Sequence, residues 1–567
     1  MSALGFRPLP SRLADDRWRA LDSAVARWVL AHDGDEVLAR CAAETSLADG
    51  QGDSLWRVGP PAAAALALSP LVEVLAEGEA PETARPFVLE GDAFYLRRNH
   101  RHEVAAGARL AALLAASGDL PEASVEALDQ LFDGDTRTEV QAQRNAVRQA
   151  TSQRLFVLTG GPGTGKTRTV LRMLLAQAQA FASLHGRLPR IALAAPTGKA
   201  ATRLAEALRE ADHARLSEAW QALLAHVRSL QPITLHRLLG AVPSRGYRHH
   251  RGHPLAVDLV VVDEASMVDL AQLRALLDAL PEDAQLWWVG DAEQLDAVST
   301  GAVLQQLVDR LEGSPALVRL LHSFRAQPAL QRLNAAVVAR DGEAWASAIA
   351  AASGAARQFP LQATGDFDHA IRHWCDRLES VFAGAGGDVD AALAGLQSLQ
   401  LLCAVREGAR GVETLARRID DDMAARAGRA SGEWYPGKRI LVTRNDPVAG
   451  LANGDIGLCL FDADAEPRVW FPALAGQGPA RAFAPAQLPP HQSAAAITVH
   501  KSQGSEYAHV GIVLPIDARH PILSRQWLYT AISRARGSLE IWGSQAAIDQ
   551  AIHRRVERAS RLAHRIG

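Results

Sequence analysis

Cysteine is scarce in this sequence: Cys41, Cys375, Cys403 and Cys459 stand singly and far apart in 567 residues. That scatter argues against both a disulfide framework and a CxxC-type metal site, and the four read as small buried hydrophobes. No run of about 18 apolar residues lacks charge, and the amino terminus has no basic-then-apolar secretory pattern. The expectation is a cytoplasmic protein with no membrane partner. A basic excess is missing too. The net charge is −3, whereas free-standing nucleic-acid binders carry positive charge. A nucleic-acid partner therefore requires either a local basic surface or an acidic surface that faces another protein.

What is present fits a folded soluble chain, 48% hydrophobic and 22% charged, long enough for roughly three or four domains. The strongest signal is Gly160-Gly161-Pro162-Gly163-Thr164-Gly165-Lys166-Thr167, directly after the apolar run Leu155-Phe156-Val157-Leu158. Strand, glycine loop and helix start in that order converge backbone N–H groups and a helix dipole on a phosphate. Lys166 is placed for the outer phosphates and Thr167 for Mg²⁺, so ATP with Mg²⁺ is the expected cofactor pair. The second signal is Leu259-Val260-Val261-Val262-Asp263-Glu264. Four apolar residues predict a buried parallel strand with its acids at the carboxyl end, where open α/β sheets gather ligands. Asp263 is the candidate Mg²⁺ ligand and Glu264 the candidate for polarising the attacking water.

Up to about residue 125 the chain is Ala- and Leu-rich with helical spacing, which predicts a small helical domain interrupted by a hairpin over Phe87 to Leu96 with Gly91-Asp92 as its turn. Gln143, on a helix start ahead of the glycine loop, has the donor and acceptor that reading an adenine edge requires. Pro196-Thr197-Gly198-Lys199 follows a buried strand and suits a phosphodiester backbone. Between Ser244 and His253 lie Arg245, Arg248, His249, His250 and Arg251 with no acid, a local positive patch fitting a projecting hairpin. Trp287 and Trp288 read as core residues. Gln294 is placed to sense the γ-phosphate, and Arg325 and Arg534 to meet charge developing in phosphoryl transfer. Residues 433 to 492 have strand-and-turn texture. The tail from His553 carries five arginines and one glutamate; a solvated helix face and a DNA-side surface both fit it.

The order of GGPGTGKT, APTGKAA, TLHRLLG, VVVDEASM, GDAEQL, SFR, VTRND, NGDIG, ITVHKSQGSEY and LYTAISRAR resembles superfamily 1 helicases of the 5′→3′ subgroup that contains the RecD subunits of RecBCD (exodeoxyribonuclease V) complexes. The segment LLCAVREG at 401–408 and the Phe87 to Arg98 piece, similar to a GD-x-x-YL-x-R pattern that contacts RecC in that family, point to the RecD subunits in particular. The resemblance implies an α/β fold: two RecA-like P-loop motor domains (126–330, with a strand-separating pin at about 241–256, and 331–567), a small helical, partner-binding amino-terminal domain (1–125), and a small β-barrel inserted at about 433–492.

It further implies ATP between the motors, at Gln143, the glycine loop, Lys166, Thr167, Asp263, Glu264, Gln294, Arg325 and Arg534. Thr197, Lys199, His236, Thr498 and His500 fall in motifs that touch single-stranded DNA. The implied partners are RecB-like and RecC-like subunits and DNA, single-stranded or duplex with an end. No acid cluster resembling a nuclease site accompanies the motor motifs, so nuclease activity would belong to a partner. One departure stands out: relatives read QLPSV where this chain has Gln294-Leu295-Asp296-Ala297-Val298. The glutamine is kept; what changes is the loop after it. A stand-alone helicase and a non-translocating ATP-binding subunit are the alternative readings.

Overall fold

A computed structural model describes residues 9–13, 15–116, 120, 122–210, 217–242, 245–324, 327–352, 354–361, 364–383, 388–396, 398–473 and 478–567. Among these, two parallel sheets dominate. The first has six strands in the spatial order Leu317–Leu320, Leu155–Gly160, Gln285–Gly290, Leu259–Val262, Ile191–Ala195 and Ile233–Thr234. The second has five, in the order Ala356–Phe359, Ala535–Trp542, Tyr507–Val513, Leu399–Cys403 and Ala496–Thr498. Helices cover both faces of each sheet, which is why the central strands Leu259–Val262 and Leu399–Cys403 are buried throughout and lack alternation. Trp287 and Trp288, on opposite faces of their strand, are wholly buried in two separate core clusters, as expected of core residues.

The amino-terminal region departs from the helical expectation. The hairpin forms as read, Phe87–Glu90 antiparallel to Ala93–Leu96, with Gly91 in the left-handed region at φ 59°. Two further short strands, Leu55–Arg57 and Val72–Leu75, extend it to a four-stranded sheet. The helices Ala20–His32 and Glu36–Gln51 pack on it through Ala26, Val29, Leu38 and Phe94. The long helix Arg97–Ala115 then runs into the first parallel domain, where Ala106, Leu110 and Leu113 join the core beneath Leu270–Ala279.

The β-rich insertion is also a correction. Its strands form a five-stranded antiparallel sheet whose edges, Arg481–Phe483 and His491–Ser493, do not pair with each other. It is an open sheet among the described residues, not a closed barrel. Within 241–256, Ala241–Val242 pairs with Gly246–Tyr247 and His250 bridges His253; Pro243 and Ser244 lie outside the described residues.

The arginine-rich tail is neither a solvated helix face nor an open basic surface. It leaves the second parallel domain and crosses to the amino-terminal sheet. There Arg561 pairs with Glu90 at 3.0 Å and Arg565 with the other Glu90 oxygen at 2.7 Å. Arg565 Nε also lies 3.5 Å from Glu103 Oε2, and Leu562 and Ile566 close the core of the first sheet. Asp92 and Tyr95 of the GD-x-x-YL-x-R pattern, with Glu90 just before it, thus engage the chain's own tail.

Candidate active site

The glycine loop leaves strand Leu155–Gly160 at its carboxyl end and turns into helix Lys166–His185. Only small residues fit here. A Cβ on Gly160 would sit 2.7 Å from the Leu320 carbonyl oxygen, and Gly163 and Gly165 take φ of 73° and 83°, the region that favours glycine. Lys166 Nζ donates to the Gly160 and Gly161 carbonyls at 2.6 and 3.0 Å. Thr164 Oγ1 donates to Gly161 O at 2.9 Å and so fixes the turn.

The loop floors a cleft of about 690 Å³ lined by residues 162–168, Gln143, Asp263, Glu264 and Gln294 from the first parallel domain and by Glu506 and Arg534 from the second. Desolvation on the cleft floor, reinforced by the neighbouring Glu264 charge, raises Asp263 above the ordinary carboxylate range. Glu264 N donates to Asp263 Oδ1 at 2.9 Å. Glu264 itself holds φ 52°, a left-handed conformation costing about 1 kcal/mol in a non-glycine residue. That turn aims two adjacent acids into one cleft. Thr167 and Asp263 offer the hard oxygen ligands Mg²⁺ requires, and the glycine cradle suits a triphosphate, so the residues fit both groups.

Gln143 is buried, its Nε2 donating to Thr164 O at 3.1 Å and its Oε1 facing Arg172 at 3.5 Å. Its amide braces the glycine loop from behind. Arg172 stacks over Phe132, 4.0 Å from the ring centroid, and burial lowers it to about 10. Gln294 Nε2 donates to the buried Asp291 at 2.9 Å, and Asp291 also accepts from Tyr529 Oη of the second domain at 3.1 Å. Arg534 is oriented by Thr530 O, Ser505 O and Ser533 Oγ. Arg325 lies outside the described residues; just before it, Phe324 N donates to Gly163 O at 2.9 Å.

Sequence reasoning missed the latch across the cleft. Arg203, one helical turn after Lys199, donates to Gly504 O and lies 3.6 Å from Glu506, which Arg536 also contacts at 2.7 Å. Tyr529 and Asp291 were missed as well, although their spacing beside Arg534 and Gln294 marks them as neighbours of the site.

The nucleic-acid candidates are spread over several surfaces. Thr197 Oγ1 accepts from Ala200 N at 3.2 Å and caps its helix. Lys199 is half-buried near Asp455 of the insertion, and burial lowers it to about 8. His236 is exposed, 6.2 Å from the Tyr247 ring. Thr498 lines a second groove of about 590 Å³ with Arg406, Arg417, Lys438 and Lys501. His500 lies towards the tail, and burial, with Arg558 nearby, lowers its pKa.

Residues 143–300 match the AAA domain family and 493–541 the UvrD-like helicase C-terminal domain. The RecBCD enzyme subunit RecD of Mycolicibacterium smegmatis is 38% identical over 89% of this chain and 86% of its own length. The chain belongs to the RecD family. The ATP-dependent RecD2 DNA helicase of Deinococcus radiodurans is 32% identical over 71% of this chain and 50% of its own. Among solved structures, Bacteroides Pif1 bound to ssDNA aligns over 74% of this chain and 95% of that one, with 17% identity and a TM-score of 0.40. As a RecD-family chain the protein is an ATP-dependent DNA helicase. No described helix is long and apolar enough to cross a membrane.

Proposed function

We propose that this RecD-family chain couples ATP hydrolysis in the cleft to 5′→3′ movement along single-stranded DNA, as the motor subunit of a cytoplasmic complex with RecB-like and RecC-like partners at duplex ends. The observation that carries the reading is the composition of the cleft wall: Lys166 and Asp263 come from one parallel domain, Glu506 and Arg534 from the other. A site divided in this way is completed or broken by relative movement of its two halves.

The loop N–H groups and Lys166 bind the phosphates, and Thr167 with Asp263 would hold Mg²⁺, which supplies charge neutralisation when bound. Glu264 orients a water for in-line attack. Gln294 reads the γ-phosphate while tied through Asp291 to Tyr529, so what it senses reaches the second domain directly. Arg534 meets the developing negative charge.

ATP turnover is expected to depend on single-stranded DNA and to vanish in Lys166→Ala. The lysine bonds two loop carbonyls and its charge faces Asp263 and Asp291 across the cleft, away from the core, so the fold should stay intact, with no large fall in melting temperature in the absence of nucleotide. Turnover indifferent to DNA would instead identify a non-translocating ATP-binding subunit. The tagged chain, expressed at its native level, should co-purify with its two partners; emergence alone would identify a stand-alone helicase.

A further inference from the structure

The loop that follows Gln294 is gripped from three sides. The second motor holds its start: Leu295 N donates to Thr530 Oγ1 at 2.8 Å, and Gln503 Nε2 donates to Leu295 O at 3.3 Å. The amino-terminal domain holds its end, where Thr300 Oγ1 donates to Asp49 Oδ1 at 2.7 Å and Gly301 N to Gly52 O at 2.8 Å. The middle is organised around one tail residue. Arg558 donates to Ala297 O at 2.6 Å, Ser299 O at 2.8 Å and Gly301 O at 3.2 Å, and its Nε faces Asp296 Oδ2 at 4.0 Å.

The Arg558 side chain is 11% exposed and enclosed by the amino-terminal domain: a Cβ on Gly52 would meet its guanidinium carbon at 2.4 Å. Next to it, Ala559 N donates to Asp53 Oδ1 at 2.7 Å. Three carbonyls of an irregular loop converging on one planar cation means that the loop takes its shape from that cation, since a fork of fixed N–H directions imposes geometry that a lone ammonium does not. Asp296 supplies the matching charge. Gln294 lies two residues before this clamp, and its amide has to meet phosphate within a fraction of an ångström to act; a misplacement of about 1 Å costs on the order of a hundredfold in rate.

We propose that Arg558 is a positioning residue for ATP hydrolysis, acting through the 296–301 loop to hold Gln294 in register with the nucleotide. This rests on reading the cleft as the ATP site. The clamp touches neither the glycine loop nor Lys166, so it acts on turnover and leaves nucleotide binding alone.

The test is steady-state ATP hydrolysis by the full-length chain at saturating single-stranded DNA. Arg558→Ala should lower kcat about tenfold or more while KM for ATP stays within about twofold. Arg558→Lys, which returns a cation and three donors, should recover part of the loss. A kcat for Arg558→Ala within twofold of the parent, or a loss carried entirely by KM, overturns the proposal. Should Arg558→Ala fail to fold, Arg558→Gln keeps a planar amide in place of the guanidinium and loses the convergence on the 297, 299 and 301 carbonyls. It should lower kcat at constant KM, and an unchanged kcat overturns the proposal equally. Parent and Lys166→Ala are run alongside. A parent without turnover defeats the reading of the cleft itself, whereas an active parent and an equally active Arg558→Ala defeat only the clamp.

Discussion

Lys199 shows how position alters the chemistry of one side chain. Burial, with Arg203 adding repulsion, brings its ammonium down to about 8, against the opposing pull of Asp455. A lysine ammonium is charged below its pKa, and a phosphate contact requires the charge. If Lys199 meets a DNA phosphate, binding must take up a proton wherever the free lysine has lost one, so single-strand affinity should hold below about pH 8 and weaken above it. Lys199→Arg, which keeps its charge throughout, should flatten that decline. Fluorescence anisotropy of a labelled oligonucleotide between pH 7 and 9.5 reads this directly; a parent profile as flat as the arginine variant's would remove Lys199 from the DNA contact.

That the glycine loop and the two acids would come together in one cleft was legible in the sequence because their signals are local. A glycine loop after an apolar run and two acids ending another strand each specify their own geometry, as Gly165 and Glu264 show. Gln143 was legible as a neighbour of the glycine loop but not in its bonding, because its partners, Thr164 and Arg172, lie on other elements. Arg203 looked like any polar position on a helix until Glu506, some three hundred residues away in sequence, came beside it.

At the level of elements, the tail is the clearest case of structure that composition cannot specify. Arg554, Arg558, Arg561 and Arg565 recur at helical spacing and fit a solvated helix face as well as a clasp, and the acceptors of Arg561 and Arg565, namely Glu90, Asp92 and Glu103, come from the other end of the chain. Arg565, 5% exposed, faces Glu90 and Glu103, which are 2% and 0% exposed. Removing it takes the cation from beside Glu103 and one of the two arginines from buried Glu90, which keeps Arg561; breaking a buried pair of this kind costs up to about 3–5 kcal/mol. Arg565→Ala should therefore lower the stability of the amino-terminal unit by that order in urea denaturation; a loss under about 1 kcal/mol would mean the clasp contributes little.

The pH dependence has a definite sign. Burial pushes Glu90 upward, but Arg565, His100 and Arg561 together outweigh it and hold the carboxyl below its usual range. A folded pKa below the unfolded one gives stability that is complete above the ordinary glutamate range and lost as pH falls through the folded value. The extra amino-terminal strands escaped the sequence reading for a related reason. Leu55–Arg57 is three residues long and Val72–Leu75 four, too short for alternation to register, and they are held by pairing to a hairpin that was itself legible. The insertion shows the converse: its strand content was written in the sequence, whereas closure into a barrel depends on whether two edge strands meet.

For the whole molecule, the low net charge ceases to be a puzzle once the arginines are located. Many are paired internally, in the tail clasp, in the Arg203–Glu506–Arg536 latch and around Asp258, so total charge says little about the DNA-facing surfaces. The described residues form two parallel sheets with the cleft between them, and the second sheet's domain reaches back through the tail to the amino-terminal sheet. A movement at the cleft is thereby felt at three places: the Gln294 loop, the Arg203 latch and the tail.

The central claim is that this cleft drives directional movement on DNA. Its most direct measurement is ATP-dependent unwinding of two partial duplexes of identical sequence, one with a 5′ and one with a 3′ single-stranded tail, by the full-length chain and its Lys166→Ala variant. The account predicts strand displacement on the 5′-tailed substrate by the parent alone and none on the 3′-tailed one. Displacement from the 3′ tail, or equal displacement by Lys166→Ala, would contradict it.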